Sequence, residues 1–384
     1  MMSSYLDYNA SAPVEECVLE KMIDIYRNVP GNADSRTHSF GDHAREVVEN
    51  ARKQVAALLM VNADEVFFTS GATESNNIVI QGLQEYGEKS GKKHIITTGI
   101  EHKAVLETCK VMQARGFEVD FVNPGQTGRV QIADILDLVR EDTLLVSVQH
   151  VNNETGIIQP VEEIGEALSK KGILFHTDAT QSVGKLVDEV RKLKYDFLTF
   201  SAHKLGGPQG VGVLVMRKKH YRLPPVKPIM FGGPQEHGIS PGTVPVALVA
   251  GCGEACVQAS NHYKENASYC RMIKDILLDE LKASGIIYKL NGDPAYCVDS
   301  TVNVCIPGVS SEALMIATKN YCSISNGSAC NSKSYEPSYV LTAMGMDREQ
   351  IENSIRISWG SSTDADDITE NFRSLLGVAK ELAI

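Results

Sequence analysis

The chain has 384 residues, with 37 Lys and Arg against 48 Asp and Glu, a formal net charge of −11, and a composition that is 43% hydrophobic and 22% charged. That composition is globular, and the length passes the roughly 250–300 residues at which single cores stop growing, so two domains are expected. The acidic balance, without any Lys/Arg block interleaved with aromatics, argues against direct nucleic-acid binding.

No run approaches the ~18 apolar residues of a membrane span. The start, MMSSYLDYNA, lacks the basic-then-apolar order of a leader, so a cytoplasmic location without membrane contact is the expectation. In chain order, short apolar, β-branched runs alternate with helical stretches: Val66 to Ser70, His94 to Thr98, Glu118 to Val122, Leu144 to Gln149, Ile173 to Thr177, Phe197 to Ser201 and Gly212 to Met216. This is the pattern of an α/β protein with a mainly parallel seven-stranded sheet covered by helices. Ligands of such sheets sit beyond the carboxyl ends of the strands. Polar clusters follow the strands here (GATESNN, EHK, HVNNETG, DATQ, SAHK), so several loops are expected to converge on one site.

A Pro- and Gly-rich stretch between Tyr221 and Pro245 precedes a helix-like segment from Leu248 to about Ser284. Two strand-like runs, Thr301 to Cys305 and Ile355 to Trp359, then suit a smaller α+β domain. The expected division is 13–250 for the large domain and 1–12 with 251–384 for the small one.

Lys204 closes an apolar strand that runs through SAHK into glycines, where a shielded lysine can form a Schiff base and Ser201 and His203 can donate to a phosphate. A solvated loop lysine is the plainer reading. Asp178 ends ILFHTDA, with Gln181 three residues on. A carboxylate there can hold a pyridine nitrogen protonated, or merely cap a helix. Gly71, Ala72 and Thr73 lie between a strand and a helix, which suits a phosphate or a plain cap. His102 can stack on a flat cofactor and move protons, or serve as a structural histidine. Asn153 lies in HVNNETG, which is also good turn chemistry. The fork of Arg356 suits a substrate carboxylate, or a surface ion pair.

The nine cysteines show no C-x-x-C pair and no zinc-ligand spacing, so neither a disulfide framework nor a structural metal is expected. Cys330, in the small polar run NGSACNS, is the candidate reactive thiol, with Cys322 as its one competitor.

Taken in order, YLDYNA, SGATESNN, EHKAVL, HVNNETG, HTDATQS, SAHKLGGPQG, GGPQEHG, NGSACNS with EPSYVL, and IRISWG resemble the motif series of the cysteine desulfurases, the NifS/IscS-like group, over nearly the whole chain. The resemblance implies the fold of type I pyridoxal-phosphate enzymes, a large cofactor domain with a small domain, and a homodimer. It implies Lys204 as the Schiff-base lysine, Asp178 at the pyridine nitrogen, Gln181 at the ring hydroxyl and His102 stacked on the ring and assisting proton transfer. It further implies Ala72, Thr73, Ser201 and His203 at the phosphate with Thr243 from the other subunit, Asn153 at the cofactor and, with Arg356, at the substrate carboxylate, and Cys330 as sulfur acceptor. The reaction implied is L-cysteine to L-alanine, with a persulfide on Cys330 passed to an acceptor protein.

Two departures stand out. Ser240 and Pro241 occupy the place of the family's usual Arg-Ser, removing a basic group near the site mouth, and Asn326 stands before Gly327 where Ser or Thr is usual. The sequence given also closes on a final helix, ELAI, without the longer tail that housekeeping members of the resembled group use for an iron–sulfur scaffold. A changed acceptor is therefore expected, with a dedicated DNA phosphorothioation system as one candidate and iron–sulfur supply or tRNA thiolation as the conservative alternative. A selenocysteine lyase or aminotransferase would share Lys204 and Asp178, and a catalytically silent scaffold is the non-enzymatic alternative.

Overall fold

Strands β2 (Val66–Thr69), β3 (His94–Thr98), β4 (Glu118–Val122), β5 (Thr143–Ser147), β6 (Leu174–Asp178), β7 (Phe197–Ser201) and β8 (Gly212–Met216) form one sheet in the computed structural model, which describes residues 3–327 and 336–383. Its order is β2-β8-β7-β6-β5-β3-β4, and all pairings are parallel except those of β8, which runs antiparallel to both neighbours. The strands are buried on both faces, and successive residues feed opposite layers. Val66, Phe68, Leu198, Phe200, Val213 and Val215 join one apolar cluster, whereas Phe67, Phe197, Leu214 and Met216 join another. That period-two alternation explains why these runs read as continuously apolar.

The covering helices start and stop where their local chemistry dictates. Val161–Lys171 carries Glu162 and Glu163 in its first turn and Lys170 and Lys171 in its last, then ends at Gly172 with φ 68°. The charges complement the helix dipole, and glycine adopts the left-handed conformation of the stop without a Cβ penalty. The longest helix, Val246–Ser284, has 39 residues and ends at Gly285, φ 72°. Its first part, including Val249, Cys252 and Cys256, packs in the cluster on one sheet face. Its last part, including Ile273, Leu277 and Leu281, packs in a separate cluster around Val302, Val304, Ile355, Ile357, Trp359 and Phe372.

That second cluster lines a three-stranded antiparallel sheet of β9 (Lys289–Leu290), β10 (Thr301–Cys305) and β12 (Ser354–Ser358), in the order β12-β10-β9. The amino-terminal segment returns to it. β1 (Ser4–Tyr5) pairs in parallel with β11 (Cys322–Ser323), and Leu6 is fully buried in the second cluster. Among the described residues no helix is long and apolar enough to cross a membrane.

Candidate active site

The loops that follow β2, β3, β5, β6 and β7 meet in one cavity of about 380 Å³. It is lined by Ala72, Thr73, His102, Asn153, Asp178, Gln181, Ser201, His203, Lys204 and Arg356, all expected from the sequence. Thr243 is exposed and outside this cavity of its own chain. Cys330 lies outside the described residues. Its competitor Cys322 is buried in β11, and burial pushes its thiol up to about 12, which makes it inert.

Each side chain is set by its strand end. Asp178 closes β6, and its Oδ2 accepts from Asn76 Nδ2 at 2.8 Å while its Oδ1 accepts from the Thr180 amide at 3.0 Å. Asn76 in turn accepts from Thr199 Oγ1 at 2.6 Å, so a buried chain of bonds across β7 and β6 fixes the carboxylate plane. Ser201 ends β7, and its Oγ accepts from the Ala72 amide at 2.7 Å, binding that strand to the start of the helix Ala72–Gly82. At the next helix start, His102 Nδ1 accepts from the Ala104 amide at 3.1 Å. A ring nitrogen that accepts there is unprotonated, which puts the proton of the neutral imidazole on Nε2; loss of water at the cavity wall, the largest cause, lowers the pKa of His102 even though the residue is exposed. His203, half-buried beside Lys204, is pushed down to about 4, first by loss of water and then by the Lys204 charge, and is neutral too.

Lys204 Nζ donates to the main-chain oxygens of Asn9 and, at 2.6 Å, Ala10. Burial first, then the charges of Arg356 and Lys185, lower its pKa to about 8. Arg356 donates through Nη2 to Asp7 and through Nη1 to the Asn153 carbonyl at 3.0 Å. Its Nε, the Asn153 Oδ1 and the Thr180 Oγ1 are buried polar atoms without partners among the described residues. Three residues contributing to the cavity bring unsatisfied hydrogen-bonding capacity, which a polar ligand would satisfy.

Sequence reasoning noted YLDYNA but gave Asp7 and Asn9 no role. Asn9 is the hub of the site: its carbonyl accepts from Lys204 and, at 3.0 Å, from Gln181 Nε2. Its side chain donates to Thr301 Oγ1 at 2.9 Å and to the Asn153 carbonyl at 3.2 Å. Also missed were Asn76, Lys185 and Glu154. Glu154 accepts from Ser338 Oγ at 2.5 Å and borders the cavity, and its burial raises the carboxyl pKa to about 7. The only signal for Asp7, Asn9, Asn76 and Glu154 was their place inside motifs assigned to neighbours, and Lys185, three residues past HTDATQS, carried none. Ser240, the departure from the family pattern, donates to Glu74 Oε1 at 2.7 Å on the first turn of Ala72–Gly82.

This donor set fits pyridoxal phosphate. A fixed carboxylate, a lysine whose amine is easily deprotonated, a neutral flanking imidazole and a helix amino-terminus occupy one cavity that also carries unpaired donors and acceptors.

The comparisons with known proteins agree. The family model for class-V aminotransferases matches residues 4–370. The chain is 42% identical over 385 residues to the cysteine desulfurase IscS of Pectobacterium carotovorum, covering 99% of this chain and 94% of that one. A solved NifS-like protein superposes with a TM-score of 0.90 at 35% identity, covering 99% of this chain and 100% of the other. DndA from Streptomyces lividans superposes with a TM-score of 0.81 at 40% identity, covering 91% and 98%. The chain belongs to the class-V aminotransferase family, as one of its pyridoxal-phosphate-dependent cysteine desulfurases.

Proposed function

We propose that the cavity beyond β6 and β7 takes L-cysteine and yields L-alanine, with Cys330 receiving the sulfur as a persulfide that passes to an acceptor protein. The observation that carries this reading is the pairing of Asp178 and Lys204 at the ends of adjacent strands, in one cavity with the unpaired Nε of Arg356.

Pyridoxal phosphate, when bound, supplies an electron sink for the bonds at the substrate Cα. Lys204 would hold it covalently, Asp178 would keep its ring nitrogen protonated, and Gln181 would meet its ring hydroxyl. Ala72, Thr73, Ser201 and His203 would take its phosphate, joined by Thr243 of a second copy in a homodimer. Once free, Lys204 Nζ would take the proton from Cα, which its lowered pKa favours near neutral pH. Neutral His102 would flank the ring and pass a proton through Nε2. Asn153 Oδ1 and Arg356 would orient the substrate, Arg356 through the carboxylate. The Cys330 thiolate would attack the substrate Sγ. Its new S–S bond would form as the substrate Cβ–S bond breaks, the bonding pair staying with carbon; Cβ would gain a proton to become the methyl group, and Lys204 would return a proton to Cα to complete alanine.

We propose the division into a large unit at 13–250 and a small one formed by 1–12 with 251–384; on the long helix the first apolar cluster runs on to Ala259 and the second takes over at Cys270. The acceptor is a sulfur-accepting protein of a cytoplasmic pathway, with iron–sulfur supply, tRNA thiolation and DNA phosphorothioation as the candidates. In each case the acidic chain works through a protein rather than on nucleic acid.

The test is the absorbance spectrum of the purified protein, followed by alanine and sulfide release from L-cysteine. Lys204→Ala is expected to lose the cofactor band. Cys330→Ser is expected to keep the band and lose turnover, and full turnover in that variant removes the assignment of Cys330. Labelled sulfur offered to candidate acceptors then decides the pathway.

A further inference from the structure

Lys185 carries no role in the reading above, yet it is the second lysine of the site. It lies on the turn after β6, four residues past Gln181, and burial lowers its pKa to about 8. Its Nζ donates to Gln181 Oε1 at 3.2 Å and to Asn9 Oδ1 at 3.4 Å, both neutral oxygens. Among the described residues no carboxylate lies within ion-pair distance of it. A surface lysine would be free of such constraint, and a half-buried lysine that meets only neutral oxygens is costly to keep.

The arrangement is reciprocal. Asn9 offers its carbonyl to Lys204 and its side-chain oxygen to Lys185, so the two ammonium groups share one residue. Gln181 is turned by the same lysine: with Oε1 occupied by Lys185, its Nε2 is left to donate to Asn9 O at 3.0 Å. Lys185 also lines a second cavity, of about 310 Å³, which has Lys204 in its wall as well. That cavity gives Lys185 contact with water, so its ammonium can form and discharge even though protein surrounds it.

We propose that Lys185 is a positioning residue for Lys204: its ammonium, held on Asn9 and Gln181, disfavours a second positive charge on Lys204 and fixes the amide of Gln181. The inference rests on the reading of Lys204 as the cofactor lysine. Other charges face the pair from each neighbouring element. Asp7 and Asp178 favour the Lys204 ammonium and Arg356 opposes it. Cys270, on the long helix, favours the Lys185 ammonium, and Arg356 again opposes it. Glu15, His262 and Asp299 stand across the second cavity. Lys185 is the like charge bonded to the same residue as Lys204, and removing it relieves repulsion, so the Lys204 pKa rises.

The experiment is competitive acetylation of the full chain, first freed of bound pyridoxal phosphate so that Lys204 carries a free amine, over roughly pH 6 to 11, with the extent of modification at Lys204 read by mass spectrometry. Three variants divide charge from hydrogen bonding. Lys185→Met removes both, Lys185→Gln keeps a donor without the charge, and Lys185→Arg keeps the charge. The Lys204 midpoint is expected to rise by about one pH unit in the Met and Gln variants, making its neutral fraction at pH 7 about tenfold smaller, and to stay near the wild-type value in the Arg variant. An unchanged midpoint in Lys185→Met and Lys185→Gln overturns the proposal, and so does an equal rise in Lys185→Arg, which would make the effect one of packing. Repeating the labelling with pyridoxal phosphate added separates the two readings. Lys204 left unprotected by the cofactor sinks its assignment as the cofactor lysine, whereas protection with unmoved midpoints sinks only the role of Lys185.

Discussion

At the residue scale, Arg356 shows how a guanidinium can be both anchored and available. Nη2 is held by Asp7 and Nη1 by the Asn153 carbonyl, while Nε has no partner among the described residues. A lysine there could not keep both anchors and still present a fixed donor. Arg356→Lys is expected to raise KM for L-cysteine about tenfold with a smaller loss in kcat, measured by initial rates. Glu154 gives a pH prediction. Its carboxyl, raised to about 7 by burial, stays protonated in the folded protein where the unfolded chain has already ionised. Its stabilising contribution is full below the ordinary carboxylate pKa and is lost as pH rises through about 7. Glu154→Gln, a neutral isostere, is therefore expected to gain stability over the wild type between pH 5 and 8, by up to about 3 kcal/mol, in paired denaturant titrations. The side chains that meet the ligand were legible because they occupy motif positions at strand ends. Asn9, Asp7 and Glu154 were not, because their partners lie far along the chain: 195 residues from Asn9 to Lys204, 349 from Asp7 to Arg356, and 184 from Glu154 to Ser338.

At the scale of elements, all seven strands of the large sheet stand within two residues of their expected bounds, as do β10, β12 and the start of the long helix. Apolar runs buried on both faces announce themselves, and so does a helix that stops at a glycine. The two-residue strands β1, β9 and β11 are too short to have a period, and the direction of β8 depends on the turn between Ser201 and Gly212 rather than on its own composition. Helix packing supplies a sharper test. A Cβ added at Gly253 would stand 2.8 Å from Ala51 Cα, where the long helix crosses Ser39–Leu59. Alanine favours a helix by about 1 kcal/mol over glycine. The backbone contact outweighs that gain, so Gly253→Ala is expected to destabilise the protein by about 1–3 kcal/mol, seen as a lowered Tm.

At the scale of the molecule, the two apolar clusters share one continuous helix, and the amino-terminal segment crosses from one to the other. Leu6 is buried in the second cluster, and Asn9 sits at the cavity walled by the strand ends of the first sheet. Removing residues 1–9 takes away a core side chain, the partner of β11 and the hub of the site together. Such a chain is expected to retain less pyridoxal phosphate after dialysis, read by absorbance, and retention equal to the full chain would deny that segment its structural part. The same closure has a consequence for biosynthesis. The Asn9 amide donates to Ser358 Oγ, 349 residues later, so the first loop of the cavity cannot be secured until the end of the chain has left the ribosome. At usual elongation rates that is a wait of roughly 20 to 70 s. For the last part of that wait, roughly 8 to 30 s between Lys204 and Ser358, the nascent chain has made Lys204 but lacks the strap that holds it, and a message truncated ahead of Ser358 yields a polypeptide whose cofactor pocket stays unfastened.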